Sequence, residues 1–123
     1  MALDGSLMEE LIMSAVLIGL MAGDVATGYL AAVKNNEVSS SIMRQGLFKK
    51  TGTICVLLLA LAIEHAGAMI GVSETVCSAI IGLVSAMIAL MEITSILENA
   101  CKLNPDLPIA NLFAMFGVET NDQ

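Results

Sequence analysis

Three long apolar runs dominate this chain, and each is interrupted by an acidic residue. The first extends from Leu11 to Val33 around Asp24. The second extends from Thr51 to Gly71 around Glu64 and His65, and the third from Val76 to Leu97 around Glu92. As helices rising 1.5 Å per residue they are each about 31–35 Å long, enough to cross a hydrocarbon core of about 30 Å. The alternating patterns and turn signals that membrane strands require are absent. The reading is an all-α integral membrane protein with three transmembrane helices, folded as a single membrane domain over residues 1–123.

Composition agrees. Hydrophobic residues make up 57% of the chain and charged residues 14%, too little charge to cover a soluble domain of this size. Five Lys and Arg against twelve Asp and Glu leave a net charge of −7, which phosphates repel, so no nucleic-acid partner is expected. Cys55, Cys77 and Cys101 are too few and too scattered for a disulfide framework or a zinc site. No nucleophile–base spacing, phosphate-cradling Gly loop or His/Cys metal spacing is visible, so neither an enzyme nor a bound metal or cofactor is expected.

Basic residues set the orientation. Lys34, Arg44, Lys49 and Lys50 all fall between the first and second runs and mark that connection as cytoplasmic. The N-terminal tail carries Asp4, Glu9 and Glu10 and nothing basic, which places it outside and argues against a signal peptide. Lys102 follows the third run, so the C-terminus is inside. Two segments read as short interfacial helices. In Ser39–Lys50, Ile42, Met43, Gly46 and Leu47 share a face. In the tail, 105–118, Pro105 and Pro108 break the chain, and Ile109, Leu112, Phe113 and Phe116 then recur at helical spacing.

Two further patterns point to assembly. Ala15, Gly19, Gly23, Thr27 and Ala31 put a small residue at every fourth position of the first helix, a helix-packing face within or between protomers. Ser78, Ser85, Glu92 and Asn99 recur every seven residues on the third helix, a polar stripe that requires partner helices or water. Asp24, Glu64 and Glu92 are each costly in hydrocarbon, about 2.5–3.5 kcal/mol for a central Asp on insertion scales. No Lys or Arg is expected inside a span to pair with them, which leaves buried pairing, protonation or a wet lumen. His65 follows Glu64 directly and so points about 100° away from it around the helix. From the residues alone three functions compete: a homo-oligomeric pore, a small ion or proton channel or transporter subunit, and a non-conducting membrane scaffold. A transporter would carry an internal repeat or broken helices, and neither is visible.

A family resemblance joins these features. The first helix ends Gly23-Asp24-Val25-Ala26-Thr27-Gly28, followed by Ala31, Ser39-Ser40, Gly46 and Lys49-Lys50. The third ends Glu92-Ile93-Thr94-Ser95-Ile96-Leu97-Glu98-Asn99, ahead of the break at Pro105 and Pro108. Over roughly Leu11 to Pro108 the chain resembles the small phage holins of Gram-positive hosts, the family that includes holin-like proteins of clostridial toxin loci. The resemblance implies accumulation in the bacterial cytoplasmic membrane, self-association and sudden lesion formation. In phage lysis such a lesion lets an endolysin reach the cell wall, with no direct contact required. The chain departs from the family at its end, Glu119-Thr120-Asn121-Asp122-Gln123, where family tails are often Lys-rich.

Overall fold

The computed structural model describes residues 5–115. They form α1 (Gly5–Lys34), α2 (Ser40–Ala66), a 3-10 turn (Gly67–Ile70), α3 (Glu74–Leu103) and α4 (Pro108–Met115), with no strand among the described residues. Three stretches are long and apolar enough to cross a membrane: Leu7–Lys34, Ser40–Ile70 and Glu74–Leu103. Helices are the expected solution, because in lipid every backbone amide and carbonyl must find its partner within the segment.

The boundaries follow from local chemistry. Between α1 and α2 the chain turns through Asn36 at φ 57, a left-handed position that Asn tolerates better than most residues. The 3-10 turn ends at Gly71 with φ 83, where a Cβ would be strained, and Val72 N–H closes the turn on the Gly67 carbonyl at 2.9 Å. Glu74 opens α3 and Lys102 lies in its last turn, the charge placement that complements the helix dipole. Asn104 Oδ1 then accepts the Asp106 amide at 3.2 Å, and Pro108 starts α4 at a position where its missing N–H costs nothing.

The structure corrects one expectation of architecture. Ser39–Lys50 is not a separate helix lying along the membrane surface; α2 runs unbroken from Ser40 through Lys50 to Ala66. No proline interrupts it, and Gly46 and Gly52 each weaken a helix by only about 1 kcal/mol. Residues 40–49 are all exposed, Ile42 and Phe48 by 67% and 75%. In the tail, a helix does follow the proline break, but Phe116 and the side chains of Leu112 and Phe113 lie outside the described residues. So do Asp4 and the acidic end, 119–123.

The third helix is central. α1 lies parallel to it and α2 antiparallel, both packing along its length, whereas α1 and α2 meet each other sparingly. The shared core is Leu17 and Met21 from α1, Leu57 and Ala60 from α2, and Ile81 and Ile88 from α3. Large apolar side chains such as Val16, Leu59, Leu83 and Leu90 point outward on all three helices. That exterior suits hydrocarbon.

Candidate intramembrane polar site

Polar side chains gather at two levels of the bundle. The first level lies ten or eleven residues in from the helix ends at Lys34, Ser40 and Leu103, about 15–17 Å along each helix. Here Lys50 of α2 meets one acid from each neighbour. Its Nζ is 2.8 Å from Asp24 Oδ2 on α1 and also donates to Glu92 Oε2 on α3. The three side chains are 19%, 14% and 3% exposed, so the pairs are largely withdrawn from the surface. The expectation that no basic residue enters the spans is therefore wrong. Lys50 stands immediately before the second apolar run, but α2 extends well beyond that run and carries Lys50 in between the other two helices. A buried pair of this kind is costly to break, about 3–5 kcal/mol when one partner is removed, because the other charge is left uncompensated.

Asn99 extends the same level. Its Nδ2 donates to Asp24 Oδ1 at 3.0 Å and to Thr27 Oγ1 at 3.3 Å, and Thr27 in turn donates to the Gly23 carbonyl at 2.9 Å. Closer to the helix ends, Lys34 Nζ donates to the carbonyls of Lys102 and Leu103 at 3.0 and 2.9 Å, satisfying the end of α3. Arg44 and Lys49 are exposed on the free part of α2.

The second level lies toward the turn between α2 and α3. Ser78 Oγ donates to Glu64 Oε1 at 3.1 Å, and His65 Nε2 lies 3.0 Å from Glu10 Oε2 on α1. Glu64 and His65 thus serve different neighbours, in keeping with their angular separation. Asp24 and Glu92 come together, but Glu64 does not join them. Fourteen residues of α2 separate it from Lys50, about 21 Å.

Between the levels sits Ser85, 7% exposed, with no hydrogen-bond partner for its Oγ among the described residues; Glu64 Oε2 is likewise buried and unpartnered. Of the polar stripe, Ser85 and Glu92 are buried in the protomer, Asn99 is half-buried and Ser78 is exposed. Stepping 14 residues along α2 from Glu64 to Lys50 moves the partner 14 residues along α3, from Ser78 to Glu92. Leu57 and Ser85 are the midpoints, so a heptad stripe on α2, Lys50–Leu57–Glu64, lies against the stripe on α3. From sequence the α2 stripe is not drawn, and Glu10 is placed only in the outer tail; the equal spacing of the two stripes is the signal for the former.

The small-residue ladder divides in two. A Cβ on Gly23 would lie 3.4 Å from Ile96 Cδ1, Thr27 is half-buried and Ala31 is buried. Gly28, outside the ladder, approaches Asn99 just as closely, 3.4 Å from its Nδ2. Ala15 and Gly19 are exposed, and a Cβ on Gly19 would meet nothing within 4 Å. No group of three or more potential metal ligands occurs among the described residues. A family model described as the bacteriophage holin family matches residues 7–116, nearly the whole chain. No curated protein and no solved structure matches it.

Proposed function

The chain belongs to the bacteriophage holin family, and from that premise we propose that it collects in a bacterial cytoplasmic membrane, oligomerises and opens lesions that release an endolysin or a toxin and end in lysis. The family is not one of enzymes. The observation that carries the reading is the match over residues 7–116 in a chain with three helices long enough to span. The arrangement of its polar groups adds support. A protomer with an apolar exterior suits lipid, while two of its intramembrane acids, Asp24 and Glu92, share Lys50 inside. In this reading the N-terminus is outside, the C-terminus is cytoplasmic, and the endolysin needs no direct contact.

A relay of protons through Asp24, Glu64 and Glu92 receives less support, because about 21 Å along α2 separates Glu64 from the level of Asp24 and Glu92, and Ser85 between them has no hydrogen-bond partner among the described residues. Expression of the chain in a bacterium tests the proposal, with optical density and membrane potential followed with and without a muralytic enzyme. The potential should collapse abruptly, and density should fall when the enzyme is present. Sustained growth with an intact potential at high membrane abundance would rule the reading out.

A further inference from the structure

Between its two polar levels the closed protomer offers water little to line a lesion, and on α3 no exposed polar side chain. From 79 to 91 the sole polar side chain of α3 is Ser85, and it is buried. The outward side chains at these depths include Val16, Ile18, Leu58, Leu59, Leu83 and Met87. A ring of such protomers, each closed, would enclose a largely apolar hole, whereas Ser85 and Glu92 face the protomer's own interior. We propose that α2 is the movable wall of the protomer. The Lys50 bridges latch it; when they break, α2 leaves α3, and the uncovered Ser85–Glu92 face, continuous with the exposed Ser78, lines the lesion. This inference rests on the holin reading above.

Four observations single out α2. First, its links to its neighbours are markedly polar: Lys50 to Asp24 and Glu92, Glu64 to Ser78, His65 to Glu10. In lipid, apolar contact gives little preference for a helix over an acyl chain, so polar contacts take a larger share of holding a helix in place. Second, α2 fits loosely. An open groove of about 610 Å³ separates it from α1, walled by Met21, Val25, Tyr29, Met43 and Ile54, and residues 40–49 touch neither neighbour closely enough to be covered. Third, α1 is held differently, by close approach at Gly23 and Gly28, by the Asn99 bonds and by the Lys34 cap on α3. Fourth, the seam beneath α2 contains polar atoms that closure leaves unsatisfied, Ser85 Oγ and Glu64 Oε2. Water satisfies both once the seam opens, and it solvates Asp24 and Glu92, which face each other without a cation when Lys50 departs.

The test uses the full chain with Cys55→Ser, Cys77→Ala and Cys101→Ala, carrying either Ser85→Cys on the covered face or Leu83→Cys on the outer face. A small membrane-impermeant methanethiosulfonate is added before and after collapse of the membrane potential. Position 85 should be unlabelled before collapse and labelled after it, and position 83 unlabelled throughout. Labelling of 83 in place of 85, or collapse with 85 still protected, overturns the inference and leaves the holin reading standing. Failure of the parent chain to collapse the potential overturns both. In the same assay Glu92→Gln and Lys50→Met should each bring collapse forward at least twofold in time at equal membrane abundance. The exchange Lys50→Glu with Glu92→Lys, which restores an ion pair, should return the delay toward the parent value. Unchanged or later collapse in both single variants removes the latch.

Discussion

The side-chain amide of Asn99 donates to the carboxylate of Asp24 across 3.0 Å, joining α3 to α1 at the level where Lys50 of α2 reaches the same carboxylate. One acid thus takes bonds from both other helices. Asn99→Ala should lower the stability of the protomer by about 0.5–2 kcal/mol, in line with interhelical hydrogen bonds in membranes. Asn99→Asp should cost more, because it sets a second carboxylate against Asp24. Unfolding of the purified protein in mixed micelles by SDS titration checks both. Equal midpoints for Asn99→Asp and Asn99→Ala would show that the charge at Asp24 is not felt there.

The two halves of the small-residue ladder should respond differently. Gly23→Leu drives a side chain into Ile96, 3.4 Å from where its Cβ would stand, and overpacking of this kind costs about 1–3 kcal/mol. Gly19→Leu meets open space within the protomer. It should leave the SDS midpoint unchanged while weakening crosslinked oligomers, if that half faces another protomer. A lowered midpoint for Gly19→Leu would contradict the assignment of this position to the outer surface.

Gly67 and Cys77 form the tightest approach at the turn. A Cβ on Gly67 would clash with the Cys77 sulfur, so Gly67→Ala should destabilise by about 1–3 kcal/mol. Cys77→Ala removes the obstacle, and the double variant should recover most of that loss. Strict additivity of the two changes in a double-mutant cycle would show that the clash is relieved elsewhere.

Lys34 ends α1 by closing the last carbonyls of α3, at 3.0 and 2.9 Å. Lys34→Met should fray that turn, at a cost of about 0.3–1 kcal/mol, and Lys34→Arg should largely preserve it. Amide exchange at Asn104, whose N–H bonds the Ala100 carbonyl at 2.8 Å, should quicken in the Met variant. Unaltered exchange there would assign Lys34 to the surface alone.

Orientation is open to labelling. With the native cysteines replaced, Ser41→Cys should react with impermeant reagents from the cytoplasmic side and Glu9→Cys from the outside. The opposite pattern would invert the topology drawn from Lys34, Arg44, Lys49 and Lys50.

Length and hydropathy alone determined that this chain forms three helices long and apolar enough to span a membrane, since a run of about twenty apolar residues favours a helix in lipid. The heptad of Ser78, Ser85, Glu92 and Asn99 was equally plain, because periodicity within a helix is a property of that helix alone. Partnership is not. Lys50 read as a surface charge because it stands just before an apolar run. Its neighbours Asp24 and Glu92 lie 26 and 42 residues away, and only the antiparallel register of α2 on α3 brings them together. The same register separates Glu64 from the other two acids and gives it Ser78. Likewise Gly19 and Gly23 are indistinguishable rungs in sequence, and only the path of α3 across α1 decides that Gly23 meets Ile96 while Gly19 meets nothing. Hydrophobicity carries no information about register in a medium as apolar as the side chains themselves, so the pairing of charges waited on the tertiary structure.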